Sequence, residues 1–213
     1  MDQINYSEIK TLENGSKLVG EVEFPPRKIW VKTYGCQMNV YDSELVAGML
    51  QECGYSETEN LNQADILFMN TCAIREKAEE TVHNRLDSIQ HLKKRNPQML
   101  IGVMGCMAQN LKDNLLETKP YVDIILGPDS YRRIPEIIKS RNGQNGHEVD
   151  TRLSKFEVYE DLLPSRHEGV NAWVSISRGC DKFCTFCIVP FTRGRERSRT
   201  MDSIKREVEN AVS

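Results

Sequence analysis

Three observations in the sequence predict an α/β protein organised on a parallel sheet. Short apolar runs alternate with stretches of helical period, the connections between them are short, and some runs are apolar without a break, as in strands buried on both faces. The runs are Ile29–Tyr34, Asp65–Asn70, Met99–Met104 and Val122–Leu126, with Tyr55–Thr58 as a short fifth candidate. Such alternation implies right-handed crossovers with helices on both faces. The expected fold is flavodoxin-like over residues 28–147.

Residues 1–27 are polar, carry Pro25-Pro26 and read as a flexible lead-in. The first strand ends at Gly35-Cys36. Asn39 is expected to cap a helix whose apolar face is Leu45, Val46, Met49, Leu50 and Cys53, with Gly54 as its stop. The second run ends at Thr71-Cys72 and leads into a helix striped by Ile74, Ala78, Val82, Leu86, Ile89 and Leu92, closed by Asn96-Pro97. The third ends at Gly105-Cys106, followed by a helix near Gln109–Thr118; the fourth ends at Gly127-Pro128, followed by a helix over Tyr131–Ser140. The turn-rich Arg141–His147 closes the domain, and residues 148–169 read as a linker. A new domain opens at 170–213 with a strand-like run, Ala172–Ile176, then a cysteine loop, then an amphipathic helix from Met201 or Asp202 carrying Ile204, Val208 and Val212. One strand and one helix bury no core, so this segment reads as the start of a larger β/α domain.

Composition narrows the class. The chain has 213 residues, 39% hydrophobic and 28% charged, ordinary values for a globular protein. No window approaches the roughly 18 apolar residues of a membrane span, and Met1–Tyr6 lacks the basic start of a secretion signal. Seven cysteines cannot all pair with one another, and in a reducing cytoplasm, the expected location, clustered thiols serve metals or catalysis more often than disulfides. Net charge is −3, but Arg178–Arg199 holds six basic residues against two acidic ones. Such a patch could meet phosphate or carboxylate, or be solvated and ion-paired; Arg193, Arg195 and Arg199 are the candidate substrate contacts.

The cysteines fall into two sets. Cys180, Cys184 and Cys187 have C-x3-C-x2-C spacing within one loop, where three thiolates can reach one centre. Zinc sites usually present two C-x2-C pairs or a pair with histidines, and no fourth ligand is near; structural zinc or buried thiols are the bland alternatives. On a 4Fe–4S cubane, three thiolates leave one iron open for a substrate. Cys36, Cys72 and Cys106 each follow a different strand, 36 and 34 residues apart, so one sheet edge should present all three. Gly35 and Gly105 precede two of them and allow close backbone approach. A second three-thiolate cluster is the preferred reading; three buried cysteines, a redox pair or a thiol nucleophile are the alternatives. Cys53 lies on a helix face and reads as core. His83, His91, His147 and His167 show no ligand spacing with the cysteines and read as surface residues.

Both triads, in this order, resemble the methylthiotransferase family of radical S-adenosylmethionine (SAM) enzymes. The matching stretches are Thr33–Asn39, Asn70–Glu79, Gly105–Gln109 and Cys184–Arg195, and the resemblance covers about residues 28–213. It implies a radical SAM (β/α) barrel beginning at residue 170. It further implies that Cys180, Cys184 and Cys187 hold the 4Fe–4S cluster that binds and cleaves SAM to a 5′-deoxyadenosyl radical, with Phe186 near the adenine. Cys36, Cys72 and Cys106 would hold an auxiliary 4Fe–4S cluster carrying the sulfur, and a second SAM would give the methyl group. Within the family the wording is nearest to members that modify C2 of N6-isopentenyladenosine at position 37, in the tRNA anticodon loop. The implied partners are tRNA, SAM and an electron donor such as a flavodoxin-type protein, with no membrane. Members acting on threonylcarbamoyladenosine or a ribosomal-protein side chain, a metal-stabilised nucleic-acid-binding module without turnover, and a flavin carrier are the alternatives. The last lacks a Ser/Thr/Gly phosphate cradle after the first strand.

Overall fold

The computed structural model describes residues 27–73, 76–141, 146–166 and 170–212. The lead-in expected over the first 26 residues, Ile74 of the long-helix stripe and His167 lie outside them, as does the side chain of Ala78. Six parallel strands form one sheet: β1 (Lys28–Tyr34), β2 (Ser56–Glu57), β3 (Ile66–Thr71), β4 (Leu100–Gly105), β5 (Ile124–Leu126) and β6 (Glu148–Asp150), ordered β2-β1-β3-β4-β5-β6. The first five follow the order of the expected flavodoxin-like fold.

Residue alternation explains the two cores. Ile29, Ile66 and Phe68 face one side, packing with Tyr41, Leu45, Val46 and Leu50 of α1 (Gln37–Glu52) and Ile137 and Ile138 of α5 (Ile134–Arg141). Trp30, Leu67 and Met69 face the other, packing with Val82, Leu86, Ile89 and Leu92 of α2 (Glu76–Arg95). Met107 of α3 (Cys106–Leu111) and Leu115 of α4 (Asp113–Thr118) complete that layer. Every residue of β3 and β4 is buried, as their unbroken apolar runs predict.

Several expectations change. Asn39 is no cap: α1 starts at Gln37 with Cys36 at its N-cap, and Asn39 is buried within the first turn. The helix expected over 109–118 is two helices, broken at Lys112, whose φ is +46°. Residues 148–150, read as linker, pair with β5 as β6. They carry too little apolar pattern to show as a strand, and edge pairing needs only backbone. The run Ala172–Ile176 forms no strand: only β7 (Ser177–Arg178) finds a partner, pairing antiparallel with β8 (Arg197–Ser198), because a strand needs a neighbour for its backbone groups. Between them lies α6 (Val189–Thr192), and α7 (Met201–Val212) follows. Its Val208 and Val212 are exposed, whereas Ser203 and Glu207 are buried.

Gly102 marks a tight approach inside the sheet. A Cβ there would lie 2.4 Å from the Phe68 ring. Gly102→Ala should destabilise by about 1–3 kcal/mol through overpacking. Urea unfolding checks this, and an unchanged midpoint would contradict it.

Candidate metal centre

The sheet register brings the first three cysteines together. Tyr34 pairs with Thr71 and Thr71 with Gly105, so β1, β3 and β4 end level on neighbouring strands about 4.8 Å apart. Cys72 and Cys106 are the next residues on their strands, and Cys36 follows Gly35. Cys72 and Cys106 are buried and Cys36 is half-buried.

Two asparagines hold the three turns in place. Asn39 Nδ2 donates to Asn70 Oδ1 at 2.8 Å and to the Thr71 carbonyl at 3.1 Å, while its Oδ1 accepts from the Cys36 thiol at 3.2 Å. Asn70 Nδ2 donates back to the Asn39 carbonyl at 2.9 Å. The glycines are a steric requirement of this packing. A Cβ on Gly105, whose φ is +92°, would lie 2.3 Å from Asn70 Oδ1, and one on Gly35 would lie 3.0 Å from the Cys72 Cβ.

The electrostatics favour thiolate. Contact with the Cys72 thiol, then the Asn39 and Met38 backbone N–H groups and the Arg193 guanidinium, outweigh burial and bring the Cys36 pKa down to about 5. In the metal-free protein, alkylation of Cys36 by iodoacetamide should thus stay fast as pH falls from 8 towards about 5. Labelling that rises only near the ordinary thiol value of about 8.5 would contradict this.

The second triad occupies one pinned loop. Gly179 has φ +77°, and a Cβ there would lie 2.1 Å from the Arg195 carbonyl oxygen. The Cys180 N–H donates to the Gly194 carbonyl at 3.1 Å, and the Cys187 N–H to that of Cys184 at 2.9 Å. Cys184 is exposed, with Cys180 and Cys187 half-buried. Phe186 is 94% exposed, whereas Phe183 packs edge-on against Phe191 at 6.2 Å.

Buried ion pairs join these segments. Asp42, buried on α1, receives Arg178 Nη1 on Oδ1 and Arg193 Nη2 on Oδ2, both at 2.8 Å. Arg197 Nη1 reaches Asp129 at 2.7 Å, and Arg178 lies over the Tyr159 ring at 4.9 Å. Buried Glu207 takes Arg199 and Arg166. Arg193 Nε also donates to Cys106 Sγ at 3.2 Å, so the segment after the second triad touches the first. The expected basic surface is therefore mostly internal: Arg178, Arg193, Arg197 and Arg199 are buried, each paired with a buried carboxylate, Asp42 or Asp129 from the first domain's sequence or Glu207 on α7. Arg195 stays exposed, paired with Asp181 at 2.8 Å and lying over Phe183 at 5.3 Å.

Burial by itself would raise the Asp42 carboxyl pKa, but the Arg178 and Arg193 guanidiniums outweigh it and hold it below the usual range. Its stabilising contribution is present above about pH 4 and lost as pH falls through the lowered value. Asp42→Ala should cost about 3–5 kcal/mol at neutral pH by leaving guanidiniums buried without their carboxylate. Denaturant unfolding reads this directly, and a loss under about 1 kcal/mol would contradict it.

Elsewhere, a cavity of about 770 Å³ beside β1, β2 and α1 is lined by residues such as Trp30, Lys32 and Glu57 and holds no cysteine. Cys53 packs partly buried against the core. His91 and His147 are exposed and bond backbone carbonyls, and His83 is half-buried.

Among the described residues, no group of three His, Cys, Asp or Glu side chains converges on a single metal ion. A cubane takes each thiolate on a different iron, so three cysteines at neighbouring strand ends fit it. The buried, positively charged Arg193 beside Cys106 suits an anionic sulfur centre.

The level strand ends bring Cys36, Cys72 and Cys106 to one edge of an α/β domain. Residues 28–127 match the family described as "Uncharacterized protein family UPF0004", and this range contains Cys36, Cys72 and Cys106. The chain is 50% identical over 184 residues to a tRNA-2-methylthio-N(6)-dimethylallyladenosine synthase of Amoebophilus asiaticus, covering 85% of this chain and 37% of that protein. Proteins of the same name from Christiangramia forsetii and Bacteroides fragilis are 50% and 49% identical over 190 residues, covering 88% of this chain and 39% and 41% of theirs. The chain thus spans about two fifths of the length of these relatives, and its similarity to them agrees with the resemblance that its motifs carry.

Proposed function

We propose that this chain is the N-terminal part of a cytoplasmic tRNA methylthiotransferase that places a methylthio group on C2 of N6-isopentenyladenosine at position 37. The level placement of Cys36, Cys72 and Cys106 at adjoining strand ends is the observation that carries the reading. The names of the relatives support the tRNA substrate. No described helix is long and apolar enough to cross a membrane.

Cys36, Cys72 and Cys106 would hold the auxiliary 4Fe–4S cluster, and Cys180, Cys184 and Cys187 the one that binds SAM. When bound, these clusters and SAM supply the radical, the sulfur and the methyl group, which no side chain can provide for an unactivated aromatic C–H bond. The chain's residues bind and orient. Gly35 and Gly105 let the backbone close around the first site, Asn39 and Asn70 fix its turns, and Arg178 and Arg193 dock the second loop against the sheet edge. Phe186, with an exposed ring, is free to stack on an adenine. Of the candidate substrate contacts, exposed Arg195 suits an RNA phosphate. Buried Arg193 and Arg199 would act through positioning. An anticodon-loop base must be splayed out to reach such a site.

Anaerobically reconstituted full-length protein should hold iron and sulfide for two cubanes, falling to one when Cys36, Cys72 and Cys106 are changed to alanine. Given SAM and a flavodoxin-type electron donor, it should add the mass of a methylthio group to tRNA bearing N6-isopentenyladenosine. An unchanged iron count in the triple variant removes the auxiliary site. Mass gain on a ribosomal protein or on threonylcarbamoyladenosine instead overturns the substrate.

A further inference from the structure

We infer that Arg193 is a positioning residue for the centre held by Cys36, Cys72 and Cys106, setting a buried positive charge and a directed N–H on the Cys106 sulfur and tying that centre's reduction potential to the docking of the second cysteine loop. The inference rests on the auxiliary-cluster reading above. Arg193 is only 5% exposed, and its Nε lies 3.2 Å from Cys106 Sγ. Its backbone is fixed on both sides: its N–H donates to the Val189 carbonyl at 2.8 Å, and its carbonyl accepts from Arg197 Nη2 at 2.7 Å.

A purely structural ion pair leaves two features unexplained. Asp42 already has Arg178 on one oxygen, so Arg193 adds a second guanidinium to one carboxylate. Counting the seam, three buried guanidiniums (Arg178, Arg193, Arg197) face two buried carboxylates (Asp42, Asp129), an excess of one positive charge. The Arg193 Nη1 is also buried with no hydrogen-bond partner among the described residues. Both features are costly alone and are offset by an anionic, sulfur-rich group beside Cys106. A positive charge and an N–H donated to a ligand sulfur each favour the more negative, reduced form of a cluster and so raise its potential.

The test uses full-length protein with Cys180, Cys184 and Cys187 changed to alanine, reconstituted anaerobically with iron and sulfide so that one cluster remains. A dithionite titration followed by electron paramagnetic resonance adds one electron and makes or breaks no bond. Arg193→Gln should lower the midpoint so that the reduced-to-oxidised ratio at a fixed potential falls at least tenfold, about 59 mV for one electron. Arg132→Gln, which removes a guanidinium paired with Glu157 and Asp161 rather than with a cysteine, should leave it unmoved. Arg193→Gln with a loaded cluster and an unchanged midpoint overturns the inference. Where that variant does not load iron, Arg193→Met, which fills the space without charge or N–H, is read in its place, a lowered midpoint supporting the inference and an unchanged one overturning it. A parent that holds no iron removes the auxiliary-cluster reading, and this inference with it.

Discussion

Parallel strands β1, β3 and β4 stop at one level, Tyr34 beside Thr71 and Thr71 beside Gly105, and each hands the chain to a cysteine within two residues. A slip of one residue in either pairing would turn every side chain of that strand to the wrong face. The same hydrophobic alternation that builds the two cores thus fixes the height of the three thiols. Packing energy spread over the sheet is in this way focused on one edge. The β1/β3 boundary, where the strand order reverses, is also where open α/β sheets leave a crevice.

The second constraint is electrostatic. Asp42, Asp129 and Glu207 draw four arginines from the C-terminal segment into the protein. Buried pairs of this kind add little net stability against apolar alternatives, yet breaking one is costly, so they specify an arrangement more than they strengthen it. Here they specify where the second cysteine loop sits relative to the first site. Tyr159 contributes from the segment after β6, donating its hydroxyl to the Pro128 carbonyl while Arg178 lies across its ring.

Much of this was legible beforehand, for physical reasons. Buried parallel strands need long apolar runs, and the cysteines announce themselves by following those runs. β6 was hidden because Glu148–Asp150 pairs through backbone at the edge of the sheet, where side chains are unconstrained. Asn39 looked like a cap from its type, but the turn that holds Cys36 already supplies the first helical carbonyl. The charge seam was hidden because a count of arginines does not include partners some 136 or 151 residues away. One signal was present: Asp42 lies three and four residues before Leu45 and Val46, on the apolar face of α1, where an unpaired carboxylate would not be tolerated.

Anomalous diffraction from crystals of iron-loaded full-length protein, collected on either side of the iron edge, bears most directly on the three-thiol site. One compact iron cluster in contact with the sulfurs of Cys36, Cys72 and Cys106, beside the Arg193 guanidinium, is the expected result. A disulfide between any two of these cysteines in the fully loaded protein, or a lone zinc held by all three, would contradict it.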